Sequence, residues 1–304
     1  MPTSSEITEA LIQRMWSEAS LGVREACEST IHASNPGISP RGVSDLASDV
    51  EPGVIAGLDA YLDRCSERGV IPSFRWGLHG KSRLVGFASF GREVPESIRL
   101  RLSAAPEILR ALAEELTPRE FEGLCTRLLA HLDCTKFVTT AFSHDAGIDF
   151  IGYAPFVHET AQYSTNVRVR LLGSSGFIVL GQAKQFSRNR NVGVEEIREF
   201  YGSALIGTRL SEASESGSST DRLLKSLGHK AGQPVLLIFA TTASFSRDAL
   251  TLCRRLGVLP LDGEQISQAL AIEGVGLTPS GASIVFELSH LKEWAHGIDP
   301  VHPA

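Results

Sequence analysis

Apolar and polar positions follow helix and strand periodicities over most of the chain. The N-terminal pattern predicts helices over residues 1–30, 54–68 and 96–115 and a β-hairpin around residues 74–88. Residues 34–53 hold three prolines and several glycines, which predicts a loop. Together these elements predict a small α+β unit, and no internal repeat is present.

The clearest helix start lies at Thr117-Pro118-Arg119-Glu120. The threonine can cap the helix, the proline suits its first position, and the glutamate completes a capping box. The residues of one apolar face follow at helical spacing: Phe121, Leu124, Cys125, Leu128, Leu129 and Leu132. This spacing predicts an amphipathic helix that packs on a sheet.

Strand and helix patterns then alternate to residue 271. Strands are predicted over 137–141, 148–153, 166–172, 177–186, 234–240 and 258–261, and helices over 194–205, 246–256 and 262–271. An irregular insertion over residues 154–164 and a serine-rich stretch over residues 211–232 interrupt them, and the final thirty residues are weakly patterned. Pro260 places the last strand at a sheet edge. This order predicts an α/β fold with a mixed central sheet flanked by helices on both faces.

Composition excludes several classes of protein. The net charge of −6 excludes a uniformly basic nucleic-acid binder but allows a local basic patch. Five scattered cysteines without a Cys-x-x-Cys pair argue against a zinc ribbon and a disulfide framework, and favour a reducing compartment. The chain shows no signal-peptide pattern and no apolar run near the ~20 residues that span a bilayer. A cytoplasmic protein is therefore expected.

Candidate chemistry lies at the end of the strand Phe177–Phe186. The strand begins as a continuous apolar run, which indicates burial on both faces. Gln182 and Lys184 follow at positions i and i+2, so their side chains point to the same side. A lysine beside a buried strand is costly without an anionic partner, and Asp149, which precedes another apolar strand, is the best candidate.

These residue types suit phosphodiester hydrolysis. The Asp149 carboxylate can hold a hard divalent cation by oxygen, and the amide oxygen of Gln182 can add a ligand. Lys184 can then act beside the attacking water or on the charge of the scissile phosphate.

Three segments in this order, Phe121-Glu122, Asp145-Ala-Gly-Ile-Asp149 and Gln182-Ala-Lys184, resemble the Mrr-type branch of the restriction-endonuclease-like nucleases, the PD-(D/E)XK superfamily. That branch uses Gln-x-Lys where the wider family has Asp/Glu-x-Lys. Later segments fall in the same order as in the family: Val192-Gly193, Phe200-Tyr201-Gly202, Ala240-Thr-Thr, Phe245, Ala249 and Leu261-Asp-Gly-Glu-Gln265. The resemblance covers residues 115–272, and it departs from the common pattern at Ala146, where a glycine is usual, and in the long 211–232 stretch.

The resemblance implies a restriction-endonuclease-like fold and a DNA endonuclease of a restriction or genome-defence system. It implies that Asp149 and Gln182 bind the metal with the carbonyl of Ala183, that Lys184 is the catalytic lysine, and that Glu122 is an additional catalytic carboxylate. The implied cofactor is Mg²⁺, with Mn²⁺ as an alternative. Because cutting both strands requires two sites, a homodimer or transient pairing on double-stranded DNA is expected.

Three segments are predicted along the chain. Residues 1–112 form an N-terminal α+β domain that reads DNA or binds a partner, residues 113–275 form the nuclease domain, and residues 276–304 form a C-terminal extension. Four arginines that bracket the site are candidates for phosphate contacts, although ordinary solvated loop residues would give the same pattern: Arg168, Arg170, Arg188 and Arg190. Phe74 and Trp76 could stack on a base, but core packing is the favoured interpretation.

Two other functions remain open at this point. The nuclease-like fold could be a catalytically silent DNA-binding module, or a partner-activated nuclease that acts on RNA or single strands. Asp145 is interpreted as a turn residue, and His144 is a weak candidate for a general base. No pair of histidines has ligand spacing, which argues against zinc.

Overall fold

The structure is a computed structural model in which a defined part of the chain is described. The described residues are 1–78, 80–91, 94–140, 147–157, 166–167, 175–187, 190–213, 224, 226–227, 233–281 and 283–296. Most of the predicted strand over 166–172, most of the 154–164 insertion and most of the serine-rich stretch lie outside them.

The chain forms two compact units. One comprises Met1–Ile108 with Ser267–Phe286, and the other comprises Leu109–Ile266 with Glu287–Ala304. The division into a recognition domain, a nuclease domain and an extension stays a prediction.

The N-terminal elements combine helices with a three-stranded antiparallel sheet of order β1-β3-β2. The helices are α1 (Ser4–Arg14), α2 (Val23–Ser34), α3 (Pro40–Arg68), α4 (Glu96–Leu102) and α5 (Ala105–Glu114), and the strands are β1 (Ser20–Gly22), β2 (Phe74–Trp76) and β3 (Arg83–Gly86). The predicted hairpin is present, and Phe74 is fully buried in the core of this unit.

Two predictions for this region are wrong. Residues 40–53, predicted as a loop, form the first half of α3: Ser39 caps the helix, Pro40 occupies its first turn, and Pro52 is held inside it. Val43 and Val54 pack in the same core as the second half, so packing outweighs the local effect of the prolines. The single helix predicted over 1–30 is two helices separated by β1, and the one predicted over 96–115 is also two.

The second unit is built on a five-stranded sheet of order β10-β8-β6-β5-β4. Its strands are β4 (Lys136–Thr139), β5 (Phe150–Pro155), β6 (Gly176–Lys184), β8 (Val235–Thr241) and β10 (Val258–Leu261). The pairs β4–β5 and β5–β6 are antiparallel, whereas β6–β8 and β8–β10 are parallel. The predicted mixed sheet is confirmed, with β10 at an edge.

Helices cover both faces of this sheet. The remaining elements up to residue 273 are α6 (Pro118–Leu128), β7 (Asn191–Val192), α7 (Val194–Ala213), β9 (Ser244–Phe245), α8 (Arg247–Leu256) and α9 (Gly263–Glu273). Ile178 and Leu180 of β6 pack in one core cluster with Ile197 and Phe200 of α7. On the opposite face, the 3-10 turn that follows α6 places Leu129 against β5, where a Cβ on Gly152 would lie 2.8 Å from it.

The C-terminal residues contain elements that the weak pattern did not predict. A hairpin of β11 (Leu277–Ser280) and β12 (Ser283–Phe286) precedes helix α10 (Leu288–His296). Helix α10 packs on α6, where Arg127 lies over the Trp294 ring and donates a hydrogen bond to the carbonyl of Trp294 at 2.6 Å. The capping box at the start of α6 is confirmed, because the Thr117 hydroxyl accepts a hydrogen bond from the Glu120 N–H and the Glu120 carboxylate accepts one from the Thr117 N–H.

Two further facts bear on the class of protein. All five cysteines are free and buried. Among the described residues, no helix has the length and apolar character needed to cross a bilayer.

Candidate active site

One face of β6 changes from apolar to polar toward the carboxyl end of the strand. Ile178 and Leu180 point into the cluster under α7. Because side chains alternate along a strand, Gln182 and Lys184 continue on that same face. The strand thus carries an amide and an ammonium group to its carboxyl end while its earlier residues anchor it in the core.

Asp149 is fixed beside this strand end by hydrogen bonds on both sides of its backbone. Its N–H donates to the carbonyl of Gly181 at 2.8 Å, and its C=O accepts from the N–H of Thr140 at 2.9 Å. The side chain adds a third bond, because its Oδ2 accepts from the N–H of Ala183 at 2.8 Å. This carboxylate therefore lies next to the residue between Gln182 and Lys184.

Burial and charge both act on the Asp149 carboxylate. Burial raises its pKa above the ordinary value of 3.8, and the Ala183 N–H, the charge of Lys184 and the charge of Arg119 oppose that rise without cancelling it. Because burial destabilises the charged form of this carboxylate, a cation bound beside it would stabilise that form. The influence of Lys184 also shows that the two side chains lie within electrostatic range of each other.

Gln182 is the buried polar group of the site. Its side chain packs against Gly147, where a Cβ would lie 2.8 Å from the amide nitrogen of Gln182. Gly147 has φ +77°, in the left-handed region, so this position favours glycine for both space and backbone conformation. Gln182 is 6% exposed, and its carboxamide makes no hydrogen bond within the described residues. An amide buried in this way is suited to receive a ligand.

Lys184 is half-buried, and Thr241 at the end of β8 and the following Thr242 hold the main chain of Lys184 and of Phe186, respectively. The Thr241 hydroxyl donates to the carbonyl of Lys184 at 2.8 Å. The Thr242 hydroxyl accepts from the N–H of Phe186 at 2.8 Å and donates to its carbonyl at 2.7 Å. Both threonines are buried. The ammonium group itself forms no ion pair within the part of the chain that the structure describes.

Glu122 of α6 approaches the site from a different element. Burial raises its pKa, the hydrogen bond from Arg119 opposes this, and the charge of Asp149 adds to it. Arg119 donates from one nitrogen to Oε2 of Glu122 and to the carbonyl of Thr140, each at 2.9 Å. The structure therefore brings Glu122 into electrostatic range of Asp149 with a guanidinium bound to it.

The remaining predicted residues have varied positions. Arg190 stacks on the Phe186 ring at 3.9 Å and pairs with Glu196 at 3.0 Å. Arg168, Arg170, Arg188, His144 and Asp145 lie outside the described residues. Trp76 donates its ring N–H to Asp59 and packs on the N-terminal core, as Phe74 does.

Sequence reasoning missed four supporting residues: Arg119, Thr140, Thr241 and Thr242. Each acts through a bond to the main chain of a distant segment, for example 57 residues away for Thr241 and Lys184. Such bonds leave no periodic pattern. The one available signal was the pair Thr241-Thr242. It lies in one of the segments that resemble the family, but the sequence assigned no role to it.

The chemistry of the donors fits a hard divalent cation. The N–H and C=O groups of one strand residue point toward the same neighbouring strand. Because the Ala183 N–H bonds Asp149, the Ala183 carbonyl also points toward the side on which Asp149 lies. The free oxygen of Asp149, the amide oxygen of Gln182 and this carbonyl are the hard oxygen ligands that Mg²⁺ takes. Among the described residues, no group of three or more His, Cys, Asp or Glu side chains could hold a metal, so such a site depends on these neutral oxygens.

One stretch of the chain matches a model of a known family. Residues 113–209 match the family model Mrr_cat, described as a restriction endonuclease, and this range contains Glu122, Asp149, Gln182 and Lys184. This stretch of the chain therefore matches the Mrr-type restriction endonucleases, and the resemblance found in the sequence is confirmed.

Three solved structures are similar to the chain at low identity. The MspJI restriction endonuclease in complex with a 27-mer oligonucleotide is 19% identical with a TM-score of 0.37, covering 60% of this chain and 35% of its own. The DNA modification-dependent restriction endonuclease AspBHI is 19% identical with a TM-score of 0.38, covering 65% and 39%. Restriction endonuclease FokI is 10% identical with a TM-score of 0.39, covering 88% and 44%. The chain thus spans less than half the length of each. No curated protein sequence matches it.

Proposed function

We propose that the protein is a divalent-metal-dependent endonuclease that hydrolyses phosphodiester bonds of double-stranded DNA. The observation that carries the proposal is the bond between Oδ2 of Asp149 and the N–H of Ala183, because Ala183 is the residue that separates Gln182 from Lys184 on the strand. A restriction-endonuclease domain over residues 113–209 supports the choice of DNA as the substrate.

The residues divide the chemistry among them. Asp149, Gln182 and the Ala183 carbonyl would hold Mg²⁺ or Mn²⁺, which when bound supplies Lewis acidity toward the scissile phosphate. Lys184 carries its positive charge to the same strand end, where it stabilises negative charge that develops on the phosphate. The strand core below, Thr241 and Thr242 hold the main chain from which the Lys184 side chain extends.

The biological setting and the assembly are part of the proposal. A role in restriction or genome defence follows from the family of the domain. Because one site cuts one strand, two copies of the chain would pair on DNA for a double-strand cut. The N-terminal unit would select the target, and the arginines near the site, including Arg190, would contact phosphates.

A nicking assay tests the proposal. Supercoiled plasmid is incubated with wild type, with Lys184→Ala and with the control Arg254→Ala, in Mg²⁺ or EDTA. Arg254 is an exposed arginine on α8 without an ion pair among the described residues. We expect nicking by wild type and Arg254→Ala in Mg²⁺ alone, and a loss of at least about 100-fold for Lys184→Ala.

The same assay separates the other functions. Single-stranded DNA and RNA of the same sequence are incubated in parallel. Cleavage of RNA alone would contradict the choice of substrate. No cleavage of any nucleic acid by wild type, together with tight duplex binding, would identify a silent DNA-binding module.

A further inference from the structure

Arg119 binds the carboxylate of Glu122 and the main chain of Thr140, the residue that bonds the main chain of Asp149. One of its guanidinium nitrogens donates to Oε2 of Glu122 and to the carbonyl of Thr140, both at 2.9 Å. Thr140 is 4% exposed and donates its own N–H to the carbonyl of Asp149. A continuous chain of hydrogen bonds therefore links Glu122 to Asp149 through Arg119 and Thr140.

We propose that the guanidinium of Arg119 takes the place of a second cation at this site, so that Asp149 and Gln182 hold a single divalent ion and Glu122 is not a ligand. This inference rests on the proposed nuclease function. It assigns Glu122 the task of holding Arg119, and it makes Arg119 a positioning residue for the segment that carries Asp149.

The charges of the site support this division. Glu122 and Asp149 are close enough to repel each other, and the positive charge of Arg119 opposes that effect on both. A guanidinium stays charged under all conditions in which proteins fold, so this counter-charge is always present. One of the two negative charges that would otherwise attract a second metal is therefore already balanced by the guanidinium of Arg119.

The bonds of Arg119 also make it hard to displace. A metal that bound Glu122 would break the ion pair at 2.9 Å and leave the guanidinium beside a second cation. The Thr140 carbonyl, which is largely buried with its residue, would lose its donor at the same time, and an unsatisfied buried carbonyl is costly. On the other side of Asp149, the cation that acts on the carboxylate is Lys184, and it forms no ion pair among the described residues, so it leaves the oxygens of Gln182 and Ala183 open.

Counting bound Mn²⁺ tests the inference without DNA. Mn²⁺ is titrated into wild type, Glu122→Gln, Asp149→Asn and Arg119→Ala, and free Mn²⁺ is read by electron paramagnetic resonance. We expect one ion per chain in wild type. We expect one ion in Glu122→Gln with affinity within about threefold of wild type, because the ligands remain, and a loss of at least about tenfold in Asp149→Asn.

Arg119→Ala should change Mn²⁺ affinity in the opposite direction. Removing the guanidinium frees a carboxylate beside Asp149 and removes a repelling charge, so Mn²⁺ affinity rises by about fivefold or more, or a second ion binds. Arg119→Lys, which keeps the charge, binds Mn²⁺ as wild type does and serves if Arg119→Ala does not fold. Circular dichroism spectra establish that each variant is folded.

The outcomes separate this inference from the proposed function. Two ions in wild type and one in Glu122→Gln would overturn the inference, and so would a loss of tenfold or more in Glu122→Gln. Affinity and count unchanged in Arg119→Ala would also overturn it. Wild type that binds no Mn²⁺ would defeat the metal-dependent nuclease itself.

Discussion

The N–H of Ala183 donates a hydrogen bond to Oδ2 of Asp149 over 2.8 Å. The bond joins the end of β6 to the residue just before β5, and so places a carboxylate at a strand end that also carries Gln182 and Lys184. Its second consequence concerns stability, because a carboxylate brought to a largely buried position is costly until a cation joins it.

Asp149→Asn changes the stability of the metal-free protein in a pH-dependent way. Burial raises the pKa of Asp149 in the folded state, so the folded protein binds this proton more readily than the unfolded chain. Wild type therefore loses stability as pH rises from the ordinary value of 3.8 through the raised pKa, whereas the asparagine side chain of the variant does not titrate. The amide oxygen of that side chain can still accept the Ala183 N–H.

Urea unfolding between pH 4 and pH 8 in EDTA measures this difference. We expect Asp149→Asn to gain stability relative to wild type as pH rises across that window. In a parallel series with Mn²⁺ in place of EDTA, we expect the metal to stabilise wild type more than the variant. A variant less stable than wild type by the same amount at every pH would contradict the argument.

Gln182→Met separates a role of the Gln182 amide in metal binding from a role in stability. The carboxamide makes no hydrogen bond within the described residues. A methionine of similar size therefore removes no hydrogen bond to any of those residues. We expect the melting temperature in EDTA to stay equal or rise, while Mn²⁺ affinity falls by about tenfold. The matched control is Gln185→Met, which removes bonds to the carbonyls of Leu112 and Leu116 and lowers stability instead. Unchanged Mn²⁺ affinity in Gln182→Met would remove this residue from the metal site.

The strands of the sheet could be predicted from the sequence because β6 and β8 are continuous apolar runs, and the start of α6 because its capping box is local. The first half of α3 could not, because Pro52 indicates a loop unless the packing of Val43 and Val54 is known. Helix α10 buries only Leu291 and Ala295 among its residues, too few for a periodic signal. The candidate residues Asp149, Gln182 and Lys184 could be named in advance, whereas the support from Arg119 could not, since a basic residue in a first helical turn resembles any solvated side chain.

Thr242→Val tests how the chain just after Lys184 is held. The variant keeps the shape of the side chain but leaves the N–H and C=O of Phe186 without the hydroxyl that bonds both. We expect a loss of about 1–3 kcal/mol in unfolding free energy. We also expect kcat for nicking to fall with Mn²⁺ affinity unchanged, because Thr242 contacts no cation ligand. Thr242→Ser, which keeps the hydroxyl, should restore kcat; failure of the serine variant to do so would contradict the role of these bonds.

Gly181→Ala tests the packing beneath Asp149. A Cβ at this position would lie 1.9 Å from two atoms of the Phe150 ring, and that ring is 1% exposed, so it has no free space to enter. We expect a loss of about 1–3 kcal/mol in unfolding free energy and reduced nicking, because Phe150 directly follows Asp149. Adding Phe150→Leu makes room for the new methyl group, so the double variant should be more stable than Gly181→Ala alone. Equal stability of wild type and Gly181→Ala would show that the ring moves freely.

The most direct test of the shared cation is anomalous diffraction from crystals grown with Mn²⁺. The account predicts one anomalous peak per chain, bonded to the second oxygen of Asp149, the amide oxygen of Gln182 and the carbonyl of Ala183, with the ammonium of Lys184 on the same side of the sheet. A peak bonded to other residues, or Asp149 and Lys184 on opposite sides of the sheet, would contradict it.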